Sequence, residues 1–113
     1  MARTLDFNNL QSSILDITLR DEAHTVVHLD IPNEALINEL QNMGPEIESM
    51  KTGNQAAVKS IYDLAARLIS CNMDYFQTTG DELEKKYNIN LVLLMQFFTA
   101  YFDCITELQN TKN

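Results

Sequence analysis

Apolar and polar residues alternate in two neighbouring stretches near the start of the chain. In residues 14–20 every second side chain is apolar, which is the pattern of a half-buried strand; the apolar positions are Leu15, Ile17 and Leu19. Residues 24–31 repeat the alternation, with Val27, Leu29 and Ile31 expected to face inward. The intervening DEAH is short and polar, so the two strands are predicted to form a β-hairpin. Because a two-stranded hairpin is only marginally stable in water, it must lie against the helices that follow.

Helical spacing of apolar residues begins after Pro32, a residue compatible with a first helical turn. A short helix is predicted there, with its apolar face at Leu36, Ile37 and Leu40. The pair Gly44-Pro45 is expected to end this helix. Residues 45–54 are then predicted to form a loose, acidic loop. The sequence therefore predicts one short helix followed by a loop.

Two further helices are predicted before the last one. Residues 55–73 form an amphipathic helix with one apolar stripe, at Val58, Ile61, Tyr62, Ala65, Leu68 and Ile69. Thr79 and Glu82 have the spacing of a capping box, in which a threonine and a glutamate satisfy backbone amides at a helix start. A short helix is therefore expected from there to about Tyr87.

The last helix, residues 90–108, is the most apolar stretch of the chain. Asn90 can cap its start, and one seam runs along it at Leu91, Leu94, Phe98, Tyr101, Ile105 and Leu108. Further apolar residues widen this seam, at Leu93, Met95, Phe97 and Phe102. Two arrangements follow from such a wide apolar face. The helix is wrapped by its own chain, or the seam packs on the 55–73 helix and the hairpin while the remaining flank meets another chain.

These elements predict an α+β, mainly α fold, in which an N-terminal β-hairpin packs on a small helical domain with two long amphipathic helices. The chain has 113 residues, of which 45% are hydrophobic, and this length suits a single domain with a modest core. We expect residues 1–31 to form the N-terminal segment with the hairpin, and residues 32–113 to form the helical part.

Charge and apolar length exclude several classes of partner. The formal net charge is −8, and Lys85 and Lys86 are the only adjacent basic residues, so binding to a nucleic-acid backbone is not expected. The apolar run of the last helix is shorter than a membrane span and contains Gln96 and Asp103. The first residues, MARTLDFNNLQSS, lack the apolar region of a secretory signal. A cytoplasmic protein without a membrane segment is expected.

Candidate catalytic and metal-binding residues do not form a recognisable constellation. His24 and His28 would lie on one face of a strand about 13 Å apart, too far to share a metal ion. Cys71 and Cys104 are both placed in predicted helices, where reduced, packed thiols are the default interpretation. The chain has only three glycines and no glycine-rich phosphate loop. No enzymatic activity, cofactor or metal is predicted.

Several segments together resemble the small tail assembly chaperones of siphophages and prophages of Gram-positive bacteria. They are LDFNNL, LDITLRDEAHTVVHLDIPNEALINEL, YDLAARLISCN, GDELEKKYNINL and FFTAYFDCITELQNTKN, which span nearly the whole chain. The resemblance implies a non-enzymatic protein of the host bacterial cytoplasm that is absent from the mature virion. It would bind the long tape measure protein and keep it soluble while the tail tube polymerises.

Candidate contact residues come from the geometry of the last helix and not from the resemblance. They lie on its less buried flank, at Leu93, Phe97, Ala100, Tyr101 and Cys104. Self-association through this flank is also expected. The alternative function from a different class is a small acidic inhibitor or anti-host binding protein, which would use its negative charge to occupy a basic site.

The resemblance also implies a second, longer product made by ribosomal frameshifting, through which the tail tube protein could be contacted. The final residues, Thr111, Lys112 and Asn113, can be encoded by codons that contain the slippery heptamer A AAA AAC or A AAA AAT. A polar tail after the last helix explains the same residues equally well.

Overall fold

A computed structural model describes residues 14–110 of the chain, with side chains described to residue 107. Two strands precede five helices: β1 (Leu15–Thr18), β2 (Val26–Leu29), α1 (Glu34–Gln41), α2 (Gly44–Lys51), α3 (Gln55–Ile69), α4 (Gly80–Lys85) and α5 (Leu91–Asn110). The predicted fold class is confirmed: the chain is α+β and mainly helical, with a hairpin that packs on α3 and α5. The LDFNNL segment, the side chain of Leu108 and residues 111–113 lie outside the described residues.

The hairpin is antiparallel, and its register pairs Leu15 with Leu29 and Ile17 with Val27. Its turn is held by Asp21, whose carboxylate accepts hydrogen bonds from the Thr25 amide at 2.8 Å and hydroxyl at 2.6 Å. Val27 and Leu29 are fully buried, as their alternation predicts.

The expectation that Ile31 faces inward is wrong, since its side chain is 57% exposed. Strand β2 ends at Leu29, and the Asp30 carboxylate accepts a hydrogen bond from the Ile31 amide at 2.7 Å. The alternation of a strand therefore no longer applies at position 31.

Helix α1 forms where the sequence predicts it, but the stretch after it is helical as well. Asn33 caps α1 by accepting a hydrogen bond from the Leu36 amide at 2.8 Å, so Pro32 precedes the helix. The predicted loose stretch at 45–54 is wrong for most of its length, because α2 occupies residues 44–51. Helix α1 ends before Gly44-Pro45, as predicted, but this pair also begins α2. Proline suits the first turn, where a missing amide hydrogen has no consequence.

Helix α3 is the amphipathic helix that the sequence predicts, and the side chain of Asn54 caps its start. It ends at Ile69, so Cys71 lies outside a helix, contrary to expectation. The chain leaves the helix because of the residue after Cys71. Asn72 folds the chain into a loop by donating to the carbonyls of Ile69 and Phe76 at 2.8 and 2.7 Å.

Helix α4 starts against α3 at Gly80. Its Thr79 cap accepts a hydrogen bond from the Glu82 amide at 3.2 Å, which realises one half of the predicted capping box. The Glu82 carboxylate binds the hydroxyl of Thr78 instead of returning to the cap. A Cβ atom on Gly80 would lie 2.5 Å from Asp63 Oδ1 and 3.1 Å from the backbone of Tyr62 and Asp63. The close approach of the two helices thus depends on glycine.

We therefore expect Gly80→Ala to destabilise the protein by about 1–3 kcal/mol, the usual effect of forcing extra volume into a packed contact. Gly44→Ala is the matched control, because nothing lies within 4 Å of a Cβ atom placed there and the position is also the first of a helix. Urea unfolding of both variants measures the difference. Equal stability of the two variants would show that α4 can move away from α3 at no cost.

Helix α5 crosses the hairpin and α3 and supplies the centre of the core. Four of its seam residues are at most 5% exposed: Leu94, Phe98, Tyr101 and Ile105. The seam prediction is wrong at Leu91, in the first turn of the helix, whose side chain is 37% exposed. The described part of the molecule measures 56 × 34 × 19 Å, and Val92 on the outer side of α5 is 66% exposed. Within residues 14–107 the last helix is therefore not wrapped on all sides.

Candidate binding groove

An apolar groove separates β1 from α5. Its volume is about 330 Å³, and its lining residues come from both elements and from the segments beside them: Leu15, Asp16, Ile17, Thr18, Leu19, Arg20, Ile69, Ile89, Leu93, Leu94, Gln96, Phe97 and Ala100. The groove exists because the hairpin is covered unequally. Val27 and Leu29 on β2 are fully buried, whereas Leu15 and Ile17 on β1 are only half-buried. The inner face of β1 is thus available at the groove.

The base of the groove is formed by buried side chains of the core. Leu19, Ile69 and Leu94 are each at most 2% exposed and belong to the main core, so the groove lies directly over packed side chains. Arg20 is fixed near one end by a hydrogen bond of 2.7 Å from its guanidinium to the carbonyl oxygen of Asn88. This bond ties the end of β1 to the turn that precedes α5. The two walls are therefore linked at this end of the groove.

Phe97 forms the aromatic part of the α5 wall. Its ring packs on that of Phe98 with centroids 5.4 Å apart and on that of Tyr101 at 5.5 Å. These contacts hold one side of the Phe97 ring against the core, while the side chain remains half-buried at the groove. An aromatic ring supported in this way offers a large apolar contact at little further cost in side-chain entropy.

Three of the five predicted contact residues line this groove, namely Leu93, Phe97 and Ala100. Tyr101 does not, and its prediction as a contact residue is wrong, since its side chain is completely buried in the core. The reason is its position on the helix, where it shares the inward seam with Phe98. Cys104 is half-buried but is not among the residues that line the groove.

The β1 wall of the groove was missed as a candidate surface by sequence reasoning. Alternation correctly placed Leu15 and Ile17 on the inner face of the hairpin. Alternation along a strand predicts the face on which a side chain lies. It does not predict which other element covers that face. The partial exposure of this face arises from the position of α5, which no local pattern records.

Three titratable side chains on or beside α5 have raised pKa values, which favour their neutral forms. Burial raises the pKa of Tyr101 well above its usual value, and the nearby thiols and the carboxylate of Asp30 raise it further. Burial likewise raises the pKa of Cys71 and of Cys104. A thiol with a raised pKa is a poor nucleophile, so neither cysteine has the setting of a catalytic one.

Elsewhere the polar residues form pairs with structural roles. His28 Nδ1 lies 3.1 Å from an Asp74 carboxylate oxygen, which also accepts the His28 amide at 2.7 Å. Arg67 makes a two-pronged ion pair with Glu39, with N–O distances of 2.7 and 2.9 Å. Among residues 14–107, no group of three or more histidine, cysteine, aspartate or glutamate side chains could hold a metal ion.

The helices of the described region include none that is long and apolar enough to cross a membrane. Comparison of the chain with protein-family models, with curated proteins and with solved structures finds no match.

Proposed function

We propose that this chain is a phage tail assembly chaperone that binds an apolar helical segment of the tape measure protein in the groove between β1 and α5. The observation that carries the proposal is the groove itself: an open, apolar channel over a packed core, lined by Leu93, Phe97 and Ala100. The resemblance of the sequence to such chaperones supplies the identity of the partner. An amphipathic helix placed in an apolar groove is a common mode of peptide recognition.

The size of the groove suits a small number of anchoring side chains. Its volume of about 330 Å³ lies at the lower end of ligand pockets, which hold about 300–1,000 Å³. Two buried leucine-sized anchors would contribute roughly 3–6 kcal/mol before the cost of association is subtracted. A single site is therefore weak, and many copies along a tape measure protein would be needed to keep it soluble. Weak single sites also allow displacement as the tail tube polymerises.

The acidic surface complements this role. A net charge of −8 keeps a chain with an open apolar groove soluble and makes neighbouring complexes repel one another. Action in the host bacterial cytoplasm, absence from the mature virion and contact with the tail tube protein through a frameshifted form belong to the same proposal and rest on the resemblance. The groove and the exposed Val92 favour this function over that of an acidic inhibitor, for which a carboxylate-covered surface without apolar excess is expected.

Co-expression with the tape measure protein of the same phage tests the proposal. The wild-type chain is expected to keep that protein soluble and to co-purify with it in many copies. Leu93→Lys should abolish the effect, because it places an ammonium group in the apolar groove without entering the fully buried core.

The matched control is Val92→Lys, the same change one residue earlier on the exposed side of α5. It should retain the solubilising effect. A tape measure protein that is equally soluble without this chain would refute the chaperone function. Equal activity of the two lysine variants would refute the groove as its site.

A further inference from the structure

The outer side of α5 carries a second surface, which borders the groove. Six residues line a shallow depression there, which we call the outer stripe: Val92, Met95, Gln96, Thr99, Ala100 and Asp103. Their spacing of three and four residues makes the stripe continuous over about three helical turns. Val92 is the most exposed large aliphatic side chain of the described region, at 66%. Such an apolar helix face is typical of a contact surface.

We propose that the outer stripe binds the same stripe of a second copy of this chain, with the two α5 helices antiparallel. An antiparallel pair with its two-fold axis between positions 97 and 98 places Met95 opposite Ala100 of the other copy and Gln96 opposite Thr99. A long side chain then meets a short one, and an amide meets a hydroxyl that can hydrogen-bond to it. Small residues at 99 and 100 also let the two helix axes approach closely.

Charge supports the antiparallel orientation. The same two-fold axis places Asp103 beside the first turn of the other α5, at Val92. That turn contains no acidic residue, and a helix N-terminus attracts negative charge through its backbone amides. A parallel pair would instead place the two Asp103 carboxylates side by side, where they repel each other. The stripe is thus self-complementary in the way that an isologous dimer requires.

Dimerisation through this stripe would place two grooves side by side. Gln96 and Ala100 line both the stripe and the groove, so each groove borders the proposed interface. A two-fold axis perpendicular to both helices keeps the groove of each copy on the same face of the pair. The dimer thus offers two adjacent apolar sites to one partner, and binding at both gains from effective concentration. The dimer itself does not depend on the proposed function.

Sedimentation equilibrium of the full chain, from micromolar to millimolar concentration in about 0.15 M salt, tests the proposal. The wild type is expected to show a reversible monomer–dimer equilibrium. Val92→Asp should raise the dissociation constant at least about tenfold, because it faces Asp103 of the other copy. The variant keeps its fold, since an acidic residue in the first turn favours α5.

Two further variants make the test specific for the orientation. Val92→Lys should leave the dimer as strong as the wild type or stronger, since its ammonium group meets Asp103. Val92→Asp combined with Asp103→Lys should restore dimerisation. A wild type that is monomeric throughout, equal weakening by Val92→Asp and Val92→Lys, or no rescue in the double variant would each overturn the proposal. Leu93→Lys should still dimerise, which separates this interface from the groove.

Discussion

Replacing Phe98 by aspartate is expected to unfold the protein. The Phe98 side chain is 2% exposed and packs edge to face on Phe97 in the centre of the core. Removing a buried phenylalanine ring typically costs about 3–5 kcal/mol, and a buried carboxylate without a partner adds several more. Small domains are usually stable by only about 5–15 kcal/mol in total. The helical circular dichroism signal should therefore be lost at room temperature.

Phe97→Asp is the matched control, with the same change at the adjacent residue. Phe97 is half-buried at the groove, where a carboxylate remains accessible to water. It also packs on Phe98 and Tyr101, so the variant should be destabilised, by roughly 1–3 kcal/mol, but still melt cooperatively. Equal loss of structure in both variants would mean that α5 is internal on this side and that the groove does not reach Phe97.

Tyr101 is expected to make the protein sensitive to alkaline pH. Its hydroxyl group is buried and has no hydrogen-bond partner in the described part of the chain. Burial raises its pKa well above the value of about 10 that an unfolded tyrosine has. Above that pH the unfolded chain releases the phenolic proton while the folded chain retains it. The free energy of unfolding should then fall by about 1.4 kcal/mol for each pH unit, until the pH reaches the folded-state pKa.

Urea unfolding of the wild type and of Tyr101→Phe, from about pH 8 to about pH 11, measures this effect. The variant should be more stable near neutral pH by about 1 kcal/mol, because it buries no unsatisfied hydroxyl group, and its alkaline decline should be shallower. Cys71, Cys104 and Tyr62 also have raised pKa values and contribute to the decline in both proteins. The difference between the two curves therefore isolates Tyr101. Parallel curves would contradict the assignment.

The groove and the outer stripe divide the exposed side of α5 between two kinds of contact. Leu93 lines only the groove and Val92 only the stripe, although the two residues are adjacent in sequence. Leu93→Lys, which should abolish partner binding alone, and Val92→Asp, which should weaken dimerisation alone, therefore separate the two activities in one pair of variants. If both proposals hold, the two activities also reinforce each other, because a dimer presents two weak sites to one chain.

Local patterns were sufficient for most of the fold. The alternation of β1 and β2, the apolar stripe of α3 and the caps at Thr79 and Asn90 all depend on neighbours within a few residues. The prediction failed where one local signal permits two different structures. Gly44-Pro45 is a stop signal for one helix and a permitted start for the next, and the second places Met50 and Ile47 against the core.

The sequence by itself determined that α5 is more apolar than one face requires, and that Leu93, Phe97 and Ala100 lie on its flank. It placed Tyr101 both on the seam and among the contact residues without deciding between them, and it did not indicate that β1 supplies the opposite wall of a groove. Burial depends on which elements meet from distant parts of the chain, and here the hairpin covers α5 through β1 only in part. A helical period specifies the direction of a side chain along its own helix, whereas the tertiary structure decides what lies in that direction.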